Sequence, residues 1–558
     1  MSLAAEDISG LLPQAWTVAE QRSAETVAWM TTTYGANLYL QTPAVADFTG
    51  GRWAMYLNDK DWRNGFWPGT LWLLAQRTGS EVWKQRAINW SAPLATSSNS
   101  DHDIGFIILS SHGKALLYHD DLNDPGGAHR TLATTAITTA ATKLDSRFNK
   151  PNTLGQPIPA GATRSWNTPF QGLYPVCVDN LMNLEVMFLA YELNGRQPAQ
   201  WHWFDHALTH ARTSIARHLR ADGGTYHVVR HFETGPLIGQ VERKHTHQGY
   251  SDETTWSRGQ AWALYGFTTV YRYARKDPAT DASDILAAAH LTADYFIDHL
   301  PHYFTDDSYN HRIGDFVPPN DFDAALGEPI GPWNGESDNY DPDDPTTLGE
   351  RRTGSFSYTP RDSSAAAIAA AGLIELSGYV TPANRARYLA AAEDILKCLI
   401  TYDGDDVGSD PDYLSSPGDP ANPGILKLGN VRSGEASRSV IYGDYYFLEA
   451  LARYEALKSR ELLARSQQCH RSGGAVDFVF ETTAPSPALT FRVLRSPDLS
   501  AGSWTTVASK TGTSPWSGVA AVGEESLPDG RKKVVVGDPS PGHRGFFRIL
   551  TRSAGGGN

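Results

Sequence analysis

Two short stretches place carboxyl groups where acid–base chemistry could use them. Asp101-His102-Asp103 opens a helical stretch running toward Ser111, and Asp179 follows the apolar run Tyr174 to Val178, just ahead of another helix. A carboxyl group among apolar side chains is desolvated, which raises its pKa, and a second carboxylate nearby raises it further. Such a pair keeps one carboxylic acid protonated near neutral pH, the state a general acid needs. The alternative is structural: an Asp at a helix start accepts hydrogen bonds from the orphan N–H groups of the first turn. Spacing alone leaves that alternative open for Asp101, Asp103 and Asp179.

A third stretch runs from His245 to Glu253 and on through Trp256 to Trp262. His245-Thr246-His247 invites a metal reading, but no third ligand stands at a fixed spacing, so no metal is expected. Arg258 and Trp262 are four residues apart and share a helix face. A guanidinium that can grip a carboxylate then lies beside a ring that can stack on a sugar. Trp256 is expected to point elsewhere, into the core.

The elements that must position these residues are mostly helices. A period of 3.6 recurs over 13–34, 66–78, 82–97, 102–118, 127–147, 178–194, 197–220, 256–275, 281–300, 361–378, 381–402 and 434–458, with almost no alternating strands before residue 460. Gly35, Gly79, Asn194-Gly195 and Gly378 fall where left-handed C-caps are expected. Twelve helices predict an all-α catalytic domain over 1–468, six hairpins closed into an (α/α)6 toroid. The long segments 148–177, 221–255, 303–360 and 403–433 are expected to rim a cleft, because loops of that length are uncommon unless functional. Past Cys469, Val476, Phe478 and Phe480 alternate, then Leu489, Phe491 and Val493, so a small all-β, sandwich-like accessory module is expected over 473–552.

Composition narrows the partners. The net charge of −14 disfavours nucleic acid, which needs clustered Lys and Arg to neutralise phosphates. No apolar run is long enough to span a membrane. With 16 Trp, 24 Tyr and 20 Phe, aromatic platforms are abundant, and with nucleic acid disfavoured they point to sugars. Cys177, Cys398 and Cys469 lie too far apart for a zinc ribbon or a disulfide framework. The N-terminus has no basic stretch followed by an apolar run and does not read as an intact signal peptide. No cofactor is indicated.

The segments Asp103 to Phe106, Val178 to Leu184, Thr246 to Trp262, Arg361 to Ala369 and Ile441 to Phe447 together resemble glycoside hydrolase family 88, the unsaturated glucuronyl hydrolases. The likeness runs in order from about Phe66 to Tyr454, and its 246–262 block is long and specific. It implies the same (α/α)6 barrel and hydration of a vinyl ether. Polysaccharide lyases leave a 4,5-unsaturated uronic acid at the non-reducing end of their products. The aspartate matching Asp179 protonates carbon 4, then serves as base for water adding at carbon 5, and the hemiketal opens. The aspartate matching Asp103 binds sugar hydroxyls and tunes the acid. Trp67, Trp166, His227, Gln248, Arg258 and Trp262 match substrate contacts, with Gln248 and Arg258 meeting hydroxyls and the uronate carboxylate.

This sequence departs from the family pattern at 148–165 and at 303–350, both expanded, which leaves the sugar beyond the cleaved bond open. Some members carry a Ser/Lys-rich sulfate motif before the last helix; the sequence here offers Arg432 as a candidate. The terminal β module lies outside the family pattern and resembles modules of secreted bacterial proteins, favouring a periplasmic or secreted place over the cytoplasm. Three rivals stand beside the main reading. They are an unsaturated rhamnogalacturonyl hydrolase, a catalytically silent carbohydrate-binding protein on the same fold, and an inverting glycosidase with two carboxyls about 6.5–9.5 Å apart.

Overall fold

The computed structural model describes residues 8–46, 51–56, 60–121, 126–148, 161–167, 172–250, 252–301, 316–323, 361–401, 413–431, 438–466, 468–472, 475–482, 489–496, 505–511, 517–526, 532–537 and 546–553. The chain is mostly helical and divides into two compact units, one of residues 1–70, 89–113 and 132–450, the other of 71–88, 114–131 and 451–558.

The helices are α1 (Leu12–Tyr34), α2 (Phe66–Thr78), α3 (Glu81–Ser91), α4 (Ile104–Ile108), α5 (Lys114–Asp121), α6 (Gly127–Asp145), α7 (Asn180–Asn183), α8 (Glu185–Leu193), α9 (Trp201–Arg217), α10 (Ser257–Ala274), α11 (Ser283–Asp298), α12 (Ser363–Leu376), α13 (Pro382–Thr401) and α14 (Ile441–Ser466). Each of the twelve expected stretches contains one of these, but two are interrupted. A π-helical turn, Leu109–Gly113, separates α4 from α5, and Leu184 separates α7 from α8. Gly35, Gly79 and Gly195 take the positive φ expected of C-caps, at 51°, 67° and 70°. Gly378 does not; its N–H closes a tight turn on the carbonyl of Glu375 at 3.0 Å.

Two helices form the interior of the first unit. All of α10 except Tyr271 is buried, as is all of α12 except Glu375. A helix enclosed on every side needs small residues where neighbours cross. Gly266 of α10 meets Leu181, and a Cβ at Gly372 of α12 would collide with Leu264. At the far end of α10, Arg272 pairs with Glu375 at 2.9 Å and Glu185 at 2.5 Å, tying α10 to α12 and α8.

The expectation of almost no strands before residue 460 is corrected. Strands β1 (Thr42–Ala46) and β2 (Trp53–Tyr56) form a ladder, and β3 (Leu173–Cys177), β4 (Val228–Phe232) and β5 (Val241–His245) form a three-stranded antiparallel sheet in that order. The Tyr174–Val178 run therefore belongs largely to a strand, and the expected loops 148–177 and 221–255 hold this sheet. The pairing Cys177↔Val228↔His245 brings three segments to one end of it.

In the second unit, β6 (Gln468–Ser472), β7 (Ala475–Thr482), β8 (Leu489–Ser496), β9 (Thr505–Thr511), β10 (Ser517–Gly518), β11 (Val522–Ser526), β12 (Lys532–Gly537) and β13 (Phe546–Ser553) make two four-stranded sheets. Their orders are β10-β9-β8-β13 and β11-β12-β7-β6. The pairs Val534↔Phe480 and Val536↔Phe478 lie on one face and share a core with Val493, Val507 and Ala508 of the other sheet, and with Ala456 of α14. Alternation at period two delivers Phe478, Phe480, Val534 and Val536 to a single face, while a bulge in the β8–β9 ladder lets the consecutive Val507 and Ala508 both join the core. The first strand begins at Gln468, ahead of the expected boundary at 473. Among the described residues no helix is long and apolar enough to cross a membrane.

Candidate active site

Asp179 stands where β3 gives way to α7, and Asp103 precedes α4. Both occupy helix-start positions, yet neither side chain caps its helix. The structural alternative for these two residues is thereby removed. A crossing of α4 and α7 brings them together. Asn183 of α7 accepts from the Phe106 N–H at 2.6 Å and donates to the Asp179 carbonyl at 3.2 Å. A Cβ at Gly105 would strike Asn183 at 2.5 Å, so only glycine permits this approach.

Oδ1 of Asp179 is buried without a hydrogen-bond partner among the described residues. Burial lifts the carboxyl to about 6, against opposing effects of the Cys177 thiol and the Arg258 charge. Asp103 is pushed well above the ordinary carboxylate range, first by burial, then by the neighbouring charges of Asp101, Asp179 and Asp61; Arg147 opposes them. Each carboxylate disfavours the other's charge, and burial makes the largest contribution to both rises.

His102 supports the same assignment. Its Nδ1 lies 3.0 Å from the Ser165 carbonyl, which can only accept, so Nδ1 carries the proton. Burial holds the ring neutral, with its pKa lowered to about 4. Nε2 is then an acceptor 3.3 Å from Oδ1 of Asp103, a contact that favours a protonated Asp103.

The other expected residues divide into open and enclosed. Trp166 is partly exposed, its ring 5.4 Å from both His102 and His247. His227 lies against Trp256 at 4.3 Å, and its Nδ1 accepts from the His247 N–H at 3.2 Å. Gln248 is partly exposed and accepts from Arg258 through Oε1.

Arg258 is not the open cation expected. It is 1% exposed and paired with Asp362 at 3.1 Å, and its guanidinium also donates to the carbonyls of Asn430 and Val431. The rings of Trp256 and Tyr442 flank it at 4.5 and 5.1 Å, so Trp256 is core as expected but adjoins the site. Trp262 is likewise enclosed, between Phe106 and Tyr446, and Trp67 is 2% exposed against Trp90. The helix face shared by Arg258 and Trp262 points into the protein because α10 is interior.

The loop joining β5 to α10 is pinned by Asp321, which accepts from the Tyr250 N–H at 2.7 Å and the Thr254 hydroxyl at 2.8 Å. Two trios, Cys177/Asp179/His227 and Asp101/His102/Asp103, bring possible metal donors within 4.8 Å of one another. In the first, burial keeps the Cys177 thiol well above its ordinary pKa, which disfavours the thiolate a metal would take. Arg432 and most of 303–350 lie outside the described residues.

Sequence reasoning missed His102, Cys177, Arg147, Asp362 and Trp62. Asp362 is visible in sequence as a helix N-cap, and it does accept from Ser364 N–H at 3.0 Å, but the same carboxylate also holds Arg258. Trp62, partly exposed, lies 4.9 Å from Tyr442 and carries no local signal.

Comparison with known proteins gives a consistent outcome. No protein-family model matches the chain. An unsaturated glucuronyl hydrolase of Formosa agariphila is 32% identical over 405 residues, 71% of this chain and 81% of that protein. One from Bacillus sp. strain GL1 is 30% identical over 414 residues, 72% of this chain and 88% of that protein. A solved unsaturated glucuronyl hydrolase specific for heparin aligns with a TM-score of 0.60 at 30% identity, covering 80% of this chain and 98% of that one.

Proposed function

We propose, from the premise that this chain belongs to the unsaturated glucuronyl hydrolases of glycoside hydrolase family 88, that Asp179 and Asp103 carry out the hydration of a 4,5-unsaturated uronic acid at the end of a lyase-generated oligosaccharide. The twelve helical stretches over 1–468 are read as six hairpins closed into an (α/α)6 ring. The observation that carries the mechanism is the uncapped, half-buried pair Asp103 and Asp179, with Oδ1 of Asp179 buried and without a partner among the described residues.

The protonated carboxyl of Asp179 delivers its proton to carbon 4 as the double bond's electrons take it up, and positive charge develops at carbon 5. The resulting carboxylate draws a proton from water as the water oxygen bonds to carbon 5. Asp179 ends protonated, and the hemiketal opens to release the next sugar. One carboxyl serves both transfers because it starts neutral in a desolvated place. Asp103, protonated and held by His102, offers a hydrogen bond to a substrate hydroxyl and adds no second charge.

Trp166 provides the open ring for stacking. Gln248, its carbonyl oxygen occupied by Arg258, presents its NH2 as a donor. Arg258 acts through Gln248 and Asp362 as a positioning cation. The rhamnogalacturonyl alternative is not favoured, since both relatives named above are glucuronyl hydrolases. The test is loss of near-ultraviolet absorbance when the protein is incubated with unsaturated disaccharides from chondroitin, heparin, gellan, ulvan and pectin. Decay with a glucuronyl substrate is expected; decay with none would leave the carbohydrate-binding and inverting-glycosidase readings.

A further inference from the structure

A cavity of about 240 Å³ is lined among others by Lys143, Arg147, Arg164, Ser100, Ser146 and Asn167, and Arg164 and Asn167 lie on either side of Trp166 in sequence. None of its lining residues among those described is acidic. In a chain of net charge −14, three cations around one opening are a local inversion of sign. Among the described residues only one of them has a carboxylate in contact: Arg164 pairs with Glu233 at 2.8 Å. Arg147 spends its donors on neutral oxygens, the carbonyls of Arg164, Ser100 and Ser165 and the side chain of Asn167. Lys143 donates to the Ser97 carbonyl at 2.5 Å and has no carboxylate partner among the described residues. An ammonium carries three protons, so two remain for a ligand.

The cavity adjoins the reacting pair through shared groups. The Ser165 carbonyl that receives Arg147 also receives His102, and Arg164 donates to the Trp166 carbonyl at 2.8 Å. Asn167 follows Trp166 directly. Asp101 and Asp103 act on Arg147 from the catalytic side, and Glu233 faces Arg164.

We propose that this cavity is a subsite for an anionic substituent, a sulfate ester or a second uronate carboxylate, on the sugars beyond the cleaved bond. The assignment rests on the reaction proposed above. Charge-assisted hydrogen bonds from Lys143 and the hydroxyl and amide groups around it would hold the anion, with Arg147 supplying field.

The test uses the full chain with three unsaturated chondroitin substrates: the unsulfated disaccharide, its 6-sulfated counterpart and the unsulfated tetrasaccharide, which carries a second carboxylate. Lys143→Gln removes the charge while keeping a donor for Ser97, and Ser146→Asp adds a repelling charge at an exposed position. We expect the kcat/KM ratio of anion-bearing to plain disaccharide to fall about tenfold in both variants. A fall confined to the sulfated disaccharide identifies a sulfate ester, and one confined to the tetrasaccharide a carboxylate. Ratios unchanged for both substrates, with melting temperatures as in the parent, would overturn the subsite. If the parent turns over none of the three, nor any of the other unsaturated disaccharides named above, the proposed reaction fails. Calorimetry with a saturated 6-sulfated disaccharide then decides the cavity alone: binding lost in Lys143→Gln supports it, and absence of binding by the parent overturns it.

Discussion

Two charge sites of the first unit, one half-buried and one fully buried, are built on opposite principles. At Asp103 and Asp179 two like groups are desolvated together and one oxygen is left without a hydrogen bond. At Arg258 and Asp362 opposite charges are more fully enclosed and paired: although the Arg258 Nε–H has no partner among the described residues, the guanidinium meets Asp362, two carbonyls, Gln248 and two flanking rings. Burial without a partner raises the cost of charge and stores a proton, which is reactivity. Burial with a partner fixes geometry, because removing either member strands the other.

The comparison can be broken in four ways, in descending size. Asp179→Asn should cut turnover by about 10³–10⁴-fold, since the amide neither donates nor recovers the proton; thermal unfolding should stay near the parent's. Residual activity above a few per cent in the absorbance assay would remove Asp179 from its role. Asp362→Ala should instead destabilise the chain by about 3–5 kcal/mol by leaving Arg258 buried and unpaired. Denaturant unfolding with an unchanged midpoint would contradict that.

The pH profile follows from the first site. The carboxyl must be protonated to act, so kcat/KM should fall as pH rises through about 6, by about tenfold per unit. A profile flat from 5 to 8 would show that the proton comes from elsewhere. Trp166→Ala, the smallest change, should raise KM by about tenfold through lost stacking and leave kcat little altered. An unchanged KM would mean the open ring meets no sugar.

What was legible in sequence was local. Helices declared themselves by period and by caps such as Gly35 and Gly79, and the aspartates by their apolar flanks. What was hidden depended on long-range meetings. Arg258 looked open because its partner Asp362 lies 104 residues away. Trp262 looked open because nothing nearby in sequence shows that α10 is enclosed on all sides. The Tyr174–Val178 run gave no period to separate a strand from a helix lead-in. His102 gained its meaning only when Ser165 arrived to fix its tautomer.

The three-stranded sheet has a practical corollary. Its chemically important corner is where Cys177, Val228 and His245 meet, with Asp179, His227 and His247 just beyond. The turn from β4 to β5 sits at the opposite end, where Phe232 pairs with Leu173. Extra residues spliced into that turn would swing away from the reactants, making it a natural place to attach a label or graft a loop while the catalytic corner keeps its register.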